Sequence, residues 1–140
     1  MSTEPEVGGW LAVHGARGSA AVSGLPFAKY GGCTTAFATR MPDGHHVLFD
    51  CGSGLMRFQS ELTPGEPFEA TIFLTHFHWD HLQGLATFWP LYEPTTRIHF
   101  VAVPPKGMTI EEAIDGVIRP PWFPARFRDA PAIQRRQRRP

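Results

Sequence analysis

The sequence predicts an α/β (α+β) domain, a mixed β-sheet with helices on one face. Three observations predict it. Short β-prone runs and segments of helical spacing follow one another as strand, strand, strand, helix, strand, helix, strand, helix. The run Val47-Leu48-Phe49 is wholly apolar, as a buried strand is. Fourteen Gly and fourteen Pro in 140 residues demand many turns and short elements. The length fits one domain with a sizeable core, and 42% apolar content excludes a disordered chain.

Residues 1–8 are polar and acidic and read as a loose leader, not a signal peptide. Trp10 to Val13 is the first strand. Gly15 to Tyr30 has the Gly, Ser and Pro density of a loop. Thr34 to Arg40 and Val47 to Asp50 form a hairpin across the turn Met41-Pro42-Asp43-Gly44. His45 and His46 are read as solvent-facing turn residues. Cys51-Gly52-Ser53-Gly54 turns the chain into a helix over Leu55 to Leu62, with Leu55, Phe58 and Leu62 as its core stripe. That glycine turn lacks the Lys-Ser/Thr of a phosphate loop, so it is expected to let the backbone pass close under the segment that follows the next strand.

Ala70 to Thr75 is the fourth strand. Leu82 to about Trp89 reads as a helix that Pro90 ends or kinks, with Leu82, Leu85, Phe88 and Trp89 as core candidates. Arg97 to Val103 is the fifth strand, with His99 on its polar face. Thr109 caps a last helix, and Glu112 three residues on completes a capping box. Arg119 to Pro124 breaks regular structure, and its Trp122 and Phe123 are expected to be buried or to cover something. The pattern stops after Ala130. Residues 131–140 read as an Arg-rich disordered tail behind a domain spanning 9–130.

The chemistry concentrates in Thr75-His76-Phe77-His78-Trp79-Asp80-His81, directly after the fourth strand. Imidazole and carboxylate together suit zinc, manganese or iron. In an extended loop, residues two apart point the same way, so His76 and His78 can grip one metal. Asp80 and His81 can face a second, and two such ions make a clamp for hydrolysis. With 7 His and 5 Asp in the chain, chance placement gives this pattern in roughly one of two thousand such chains. A histidine-rich surface loop or a set of core histidines is the competing reading.

Thr-His-x-His-x-Asp-His followed by Leu82-Gln83-Gly84 resembles the metal-binding signature of the metallo-β-lactamase fold hydrolases. Arg17-Gly18-Ser19, Tyr30-Gly31-Gly32-Cys33-Thr34-Thr35 and Phe49-Asp50-Cys51-Gly52-Ser53-Gly54 are similar to N-terminal landmarks of one branch, the phosphodiesterase-like proteins and tRNA 3′-end-processing endonucleases. Cys33 departs from that pattern, which has Asn there. The resemblance implies the N-terminal half of a four-layer αββα sandwich and two zinc ions per complete site, with manganese or iron as alternatives. It assigns His76, His78, Asp80 and His81 as ligands, Asp80 as the catalytic carboxylate and Asp50 as the outer carboxylate that steadies the loop. It favours a phosphodiester substrate, small or nucleic acid, over a lactam or thioester.

The family also uses a further His, a bridging Asp and a last His, and this sequence has no His after His99. The expectation is therefore an N-terminal portion, weakly active or inactive alone. Two other readings accompany it. A non-catalytic half-domain would need a partner, a homo-oligomer or a second half. A nucleic-acid binder would use Arg126, Arg128, Arg135, Arg136, Arg138 and Arg139, against which stands a solvated tail. Zero formal net charge gives no call for an anionic membrane, no apolar run reaches transmembrane length, and Cys33 and Cys51 read as structural filler. A cytoplasmic location is expected.

Overall fold

A computed structural model of the chain describes residues 10–133. The expected leader and the arginines beyond residue 133 lie outside the described residues. Five strands, β1 (Ala12–Gly15), β2 (Ala36–Arg40), β3 (His46–Phe49), β4 (Glu69–Phe73) and β5 (Arg97–Val101), form one sheet in sequence order. The first three pair antiparallel, and β3, β4 and β5 run parallel. The sheet is mixed, as the order of elements predicts. The helix α1 (Leu55–Gln59) joins β3 to β4, and α2 (Ile110–Asp115) follows β5.

One sheet face carries the core. Ala38, Leu48, Ala70, Ile72 and Ile98 alternate along the strands and pack under Leu55, Phe58, Phe88, Leu91, Ile114 and Phe127. The α2 capping box forms as its sequence predicts. Thr109 Oγ1 accepts from Glu112 N at 3.1 Å, and Thr109 N donates to Glu112 Oε2 at 2.8 Å.

The other face carries an uncovered apolar row. Val13, Phe37, Phe49, Phe73 and Val101 are register partners across all five strands. The Phe49 and Phe73 rings stack at 5.6 Å, while Val13 remains 57% and Phe73 38% exposed. A row of this kind suits a second sheet packed face to face.

Four expectations need correction. The segment expected as a helix from Leu82 to Trp89 is instead a chain of 3-10 turns, Leu85–Thr87 and Trp89–Tyr92, after the turn Trp79–His81. Pro90 has no N–H to give the Ala86 carbonyl, and the Tyr92 hydroxyl donates to it instead at 2.9 Å. Helix α1 stops at Gln59, because the Ser60 hydroxyl takes the Arg57 carbonyl at 2.6 Å and the chain tightens into i to i+3 bonds. His46 is not a turn residue. It opens β3 with its ring 5.0 Å from Phe68 and 5.6 Å from Phe58, whereas His45 does sit at the turn, bonded through its backbone to Asp43. Trp122 is 70% exposed, with the Arg119 guanidinium over its ring; only its neighbour Phe123 packs on the core.

Packing also continues past Ala130. Ala132 is buried, and Ile133 bridges to Ile98. This end is tied by a buried carboxylate that periodicity does not reveal. Asp115 lies 2.8 Å from Arg128 Nη2 and 3.5 Å from Arg126 Nη1. Two of the six arginines considered for nucleic acid are thus turned toward Asp115.

His14, on β1, is buried edge-on to Phe58 at 5.4 Å. Burial pushes its pKa down, more than Glu61 raises it, and burial likewise pushes His46 down, with Arg40 and His45 adding to the effect. The unfolded chain therefore binds these protons more readily than the folded one. Stability is expected to be full above the ordinary imidazole value of about 6.5 and to fall as pH drops below it. Urea midpoints measured across that window check this, and His14→Gln should flatten the profile.

Candidate metal centre

The parallel pairing of β3 and β4 brings their carboxyl ends side by side. Asp50 follows β3 with φ +60° and is buried. A left-handed carboxylate residue is uncommon and aims its side chain where an extended residue would not. Here it points across to the end of β4. Asp50 Oδ1 accepts from Thr75 N at 2.8 Å, and Thr75 Oγ1 donates to Oδ2 at 2.8 Å. Asp50 Oδ2 also lies 2.9 Å from His81 Nδ1, close but off the axis of a well-aligned hydrogen bond. One carboxylate thus meets both ends of the loop 75–81.

Hydrogen-bond bookkeeping then assigns a tautomer. The Thr75 hydroxyl has one proton and gives it to Asp50. It can only accept from His76 Nδ1, which lies 3.0 Å away. His76 Nε2 is left with its lone pair. By the same reasoning a His81 whose Nδ1–H faces Asp50 presents Nε2 as an acceptor, 3.4 Å from Asp80 Oδ2. Two acceptors facing one another call for a cation between them. The His76 ring centroid lies 4.0 Å from that of His81 and 4.5 Å from that of His78. His78 is the exposed member.

Asp80 is held from the far side. Ser19 N donates to Asp80 Oδ2 at 2.8 Å. That bond is the largest cause that holds the Asp80 carboxyl below the usual carboxylate range.

The glycine turn passes directly beneath. A Cβ on Gly52 would overlap the Asp80 carbonyl and Thr34 Oγ1, and one on Gly84 would overlap the Gly52 carbonyl. Cys51 N donates to the His81 carbonyl at 2.8 Å, and Gly84 N to the Cys51 carbonyl at 2.9 Å. Thr34 is the hub. Its hydroxyl accepts from Ser53 N at 2.7 Å and Gln83 Nε2 at 3.0 Å, and its own N donates to Ser53 Oγ at 2.8 Å. The Cys51 thiol is buried among these groups. Burial first, then Asp50, pushes its pKa well up, which suits filler and not a nucleophile.

The fold therefore gathers His76, His78, Asp80 and His81 on one loop edge with Asp50 behind them. Among the described residues no group of three or more His, Cys, Asp or Glu side chains is placed to hold a metal ion as they stand. The donor set and the acceptor pair still fit a divalent ion such as zinc. His14, His45, His46 and His99 lie elsewhere. Sequence reasoning missed Thr75, Ser19 and the Thr34 hub. Thr75 had a signal in its place beside His76, and Ser19 and Thr34 fell within recognised landmarks without an assigned role.

Asp50→Asn keeps a residue that tolerates left-handed backbone but removes the carboxylate charge. It is expected to lower zinc affinity by about ten- to a hundredfold, the usual cost of losing a partner behind a metal ligand. Gly52→Ala should weaken zinc binding as well and cost about 1–3 kcal/mol of stability through overpacking. Competition with a chromophoric chelator and urea unfolding measure the two effects.

The metallo-beta-lactamase superfamily model matches residues 31–130. Ribonuclease Z of Haloarcula marismortui is 30% identical over 93 residues, 64% of this chain and 30% of that protein. Ribonuclease Z of Methanothermobacter thermautotrophicus is 46% identical over 52 residues, 36% of this chain and 16% of that protein. The chain thus spans less than a third of the length of these relatives. No solved structure matches. A match over residues 31–130, carried by a mixed sheet with the His-x-His-x-Asp-His loop at the end of a parallel strand, makes this chain a member of the metallo-β-lactamase superfamily.

Proposed function

We propose that this stretch belongs to a zinc-dependent phosphodiester hydrolase acting on nucleic acid in the cytoplasm, with manganese or iron as alternative ions. The observation that carries the reading is the common backing of His76 and His81: Thr75 faces His76 Nδ1 and Asp50 faces His81 Nδ1, which leaves each Nε2 toward the loop edge. The similarity to two ribonucleases Z favours a nucleic-acid diester as substrate. The two unbridged cysteines agree with a reducing compartment.

His76, His78, Asp80 and His81 would hold the metal. When bound, the ion supplies Lewis acidity and an activated water. The chain's own contribution is placement. Asp50 lies against His81 Nδ1 and, through Thr75, supports the His76 ring. Asp80, whose carboxyl the Ser19 amide holds below the usual carboxylate range, would serve as a ligand carboxylate.

The apolar row Val13-Phe37-Phe49-Phe73-Val101 favours a second reading. In it, the stretch is half of a site and hydrolyses nothing until another layer covers the row and adds ligands.

Metal analysis after dialysis, joined to turnover of bis(p-nitrophenyl) phosphate, tests both. Four loop ligands shared by two ions leave two each, fewer than the three that a catalytic zinc ordinarily takes. Residues 1–140 are expected to retain no more than one zinc per molecule and to hydrolyse the diester at or near background. Retention of no metal, with His76→Ala and His81→Ala indistinguishable from the parent, would count against the hydrolase reading. Two firmly held ions with clear turnover would overturn the half-site reading.

A further inference from the structure

Among the described residues, only Ser19 and Asp50 combine a side chain with a left-handed φ, +64° and +60°. Both support the same loop. Strained backbone of this sort persists where surrounding structure enforces it and is concentrated at functional sites. Asp50 has its explanation in the carboxylate that meets Thr75 and His81. Ser19 lies in an otherwise irregular stretch, and its side chain carries no comparable task.

We propose that Ser19 is a positioning residue whose backbone N–H sets the rotation of the Asp80 carboxylate from outside the metal loop. The use of that carboxylate as a ligand rests on the hydrolase reading; the clamp itself does not.

The local geometry is built for that amide. Ala20 N donates to the Gly18 carbonyl at 2.8 Å, closing a three-residue turn around Ser19. With φ positive, this is the rare form of the γ-turn. It turns the Ser19 N–H outward, across sixty-one positions of sequence, onto Asp80 Oδ2.

Both flanks of the turn are anchored. Arg17 N donates to the Cys33 carbonyl at 3.1 Å, and Arg17 bridges to Thr34. The Arg17 guanidinium covers the Phe27 ring at 4.8 Å. Val22 N donates to the Gly32 carbonyl at 2.9 Å, and Gly32 lies so close to Val22 that a Cβ there would overlap the Val22 carbonyl. The bracket therefore shares Thr34 with the floor beneath Gly52. Gly52 packs against the Asp80 carbonyl from below, and the Ser19 amide holds its carboxylate from the other side. A charge-assisted bond of 2.8 Å is strong enough to select one carboxylate orientation.

Two measurements test the clamp. The first is zinc affinity, by chelator competition, of Ser19→Ala, Ser19→Gly and Ser19→Pro, with thermal unfolding to verify each fold. Alanine and glycine retain the N–H and should bind within about twofold of the parent. Proline removes it and, with its φ fixed at about −65°, also unmakes the left-handed turn that aims it, and should bind about ten- to a hundredfold more weakly. A folded Ser19→Pro with parental affinity overturns the proposal, as does an equal loss in Ser19→Ala, which would assign the effect to the hydroxyl.

The second measurement needs no metal and does not require the proline variant to fold. Amide exchange at Ser19 in the metal-free parent should be slowed, and Asp80→Ala should accelerate it at least tenfold while the Leu48 and Ile72 amides are unchanged. Equal Ser19 exchange in the two proteins overturns the clamp. If the parent binds no zinc, the hydrolase reading fails and this exchange result alone decides the fate of the clamp.

Discussion

The Asp50 carboxylate fastens the end of β3 to the loop that leaves β4. It receives the Thr75 amide and hydroxyl and faces the His81 ring from a buried, left-handed position. A buried carboxylate without donors is strongly unfavourable, so this residue commits its surroundings to supply them. The parallel register of β3 and β4 makes the supply short-range, because both strands end on the same side. Ligands in open α/β sheets bind outside such carboxyl ends. The same bonds that satisfy Asp50 set the tautomer of His76. The bonds that satisfy the buried carboxylate and those that orient the candidate ligand His76 are one set.

Close backbone contact provides the second constraint. The turn 51–54 lies against 80–84 with glycine at both contact points, Gly52 and Gly84. Any side chain at Gly52 meets main-chain atoms of Asp80, which cannot rotate aside as a flexible side chain could. This settles the use of the glycine-rich turn between strand and helix. Its glycines allow two chain segments to touch, and its amides are engaged with protein carbonyls: Gly52 N with Thr35, Gly54 N with Thr34 and Cys51 N with His81. Those donors are committed and do not form a phosphate cradle.

The strands were legible as short β-prone runs bounded by turn residues, Val47 to Phe49 above all, whose Leu48 packs in the core with Ala70, Ile72 and Ile98. The His-x-His-x-Asp-His loop was legible as a candidate site because three imidazoles and a carboxylate fall within six residues. The segment after Leu82 misled because its apolar spacing is helical while its hydrogen bonds are not. Pro90 breaks the ladder; the Tyr92 hydroxyl, six residues on, takes the orphaned Ala86 carbonyl, and the distant Gln59 takes the Trp89 amide. The Gln59 contact depends on a tertiary neighbour that no local window contains. The same holds for His46, drawn inward by Phe58 and Phe68, and for Asp115, whose partners Arg126 and Arg128 lie in a stretch without periodicity. Ser19 was invisible for another reason: its contribution is a backbone N–H, which every residue except proline possesses.

Support for the metal loop is one-sided. On the inner side Asp50, Thr34, Gly52 and Phe77 leave little freedom to Thr75, His76 and His81. On the outer side His78 and Trp79 are exposed. The apolar row ends nearby in sequence, since Phe73 precedes His76 by three residues, a span of at most about 10 Å in extended chain. A layer seated on the row would therefore reach the exposed side of the loop as a geometric consequence of burying Phe49 and Phe73. Covering the sheet and completing the ligand set would then be one event. The apolar contact would contribute most of the free energy, and the polar groups it carries would arrive already oriented.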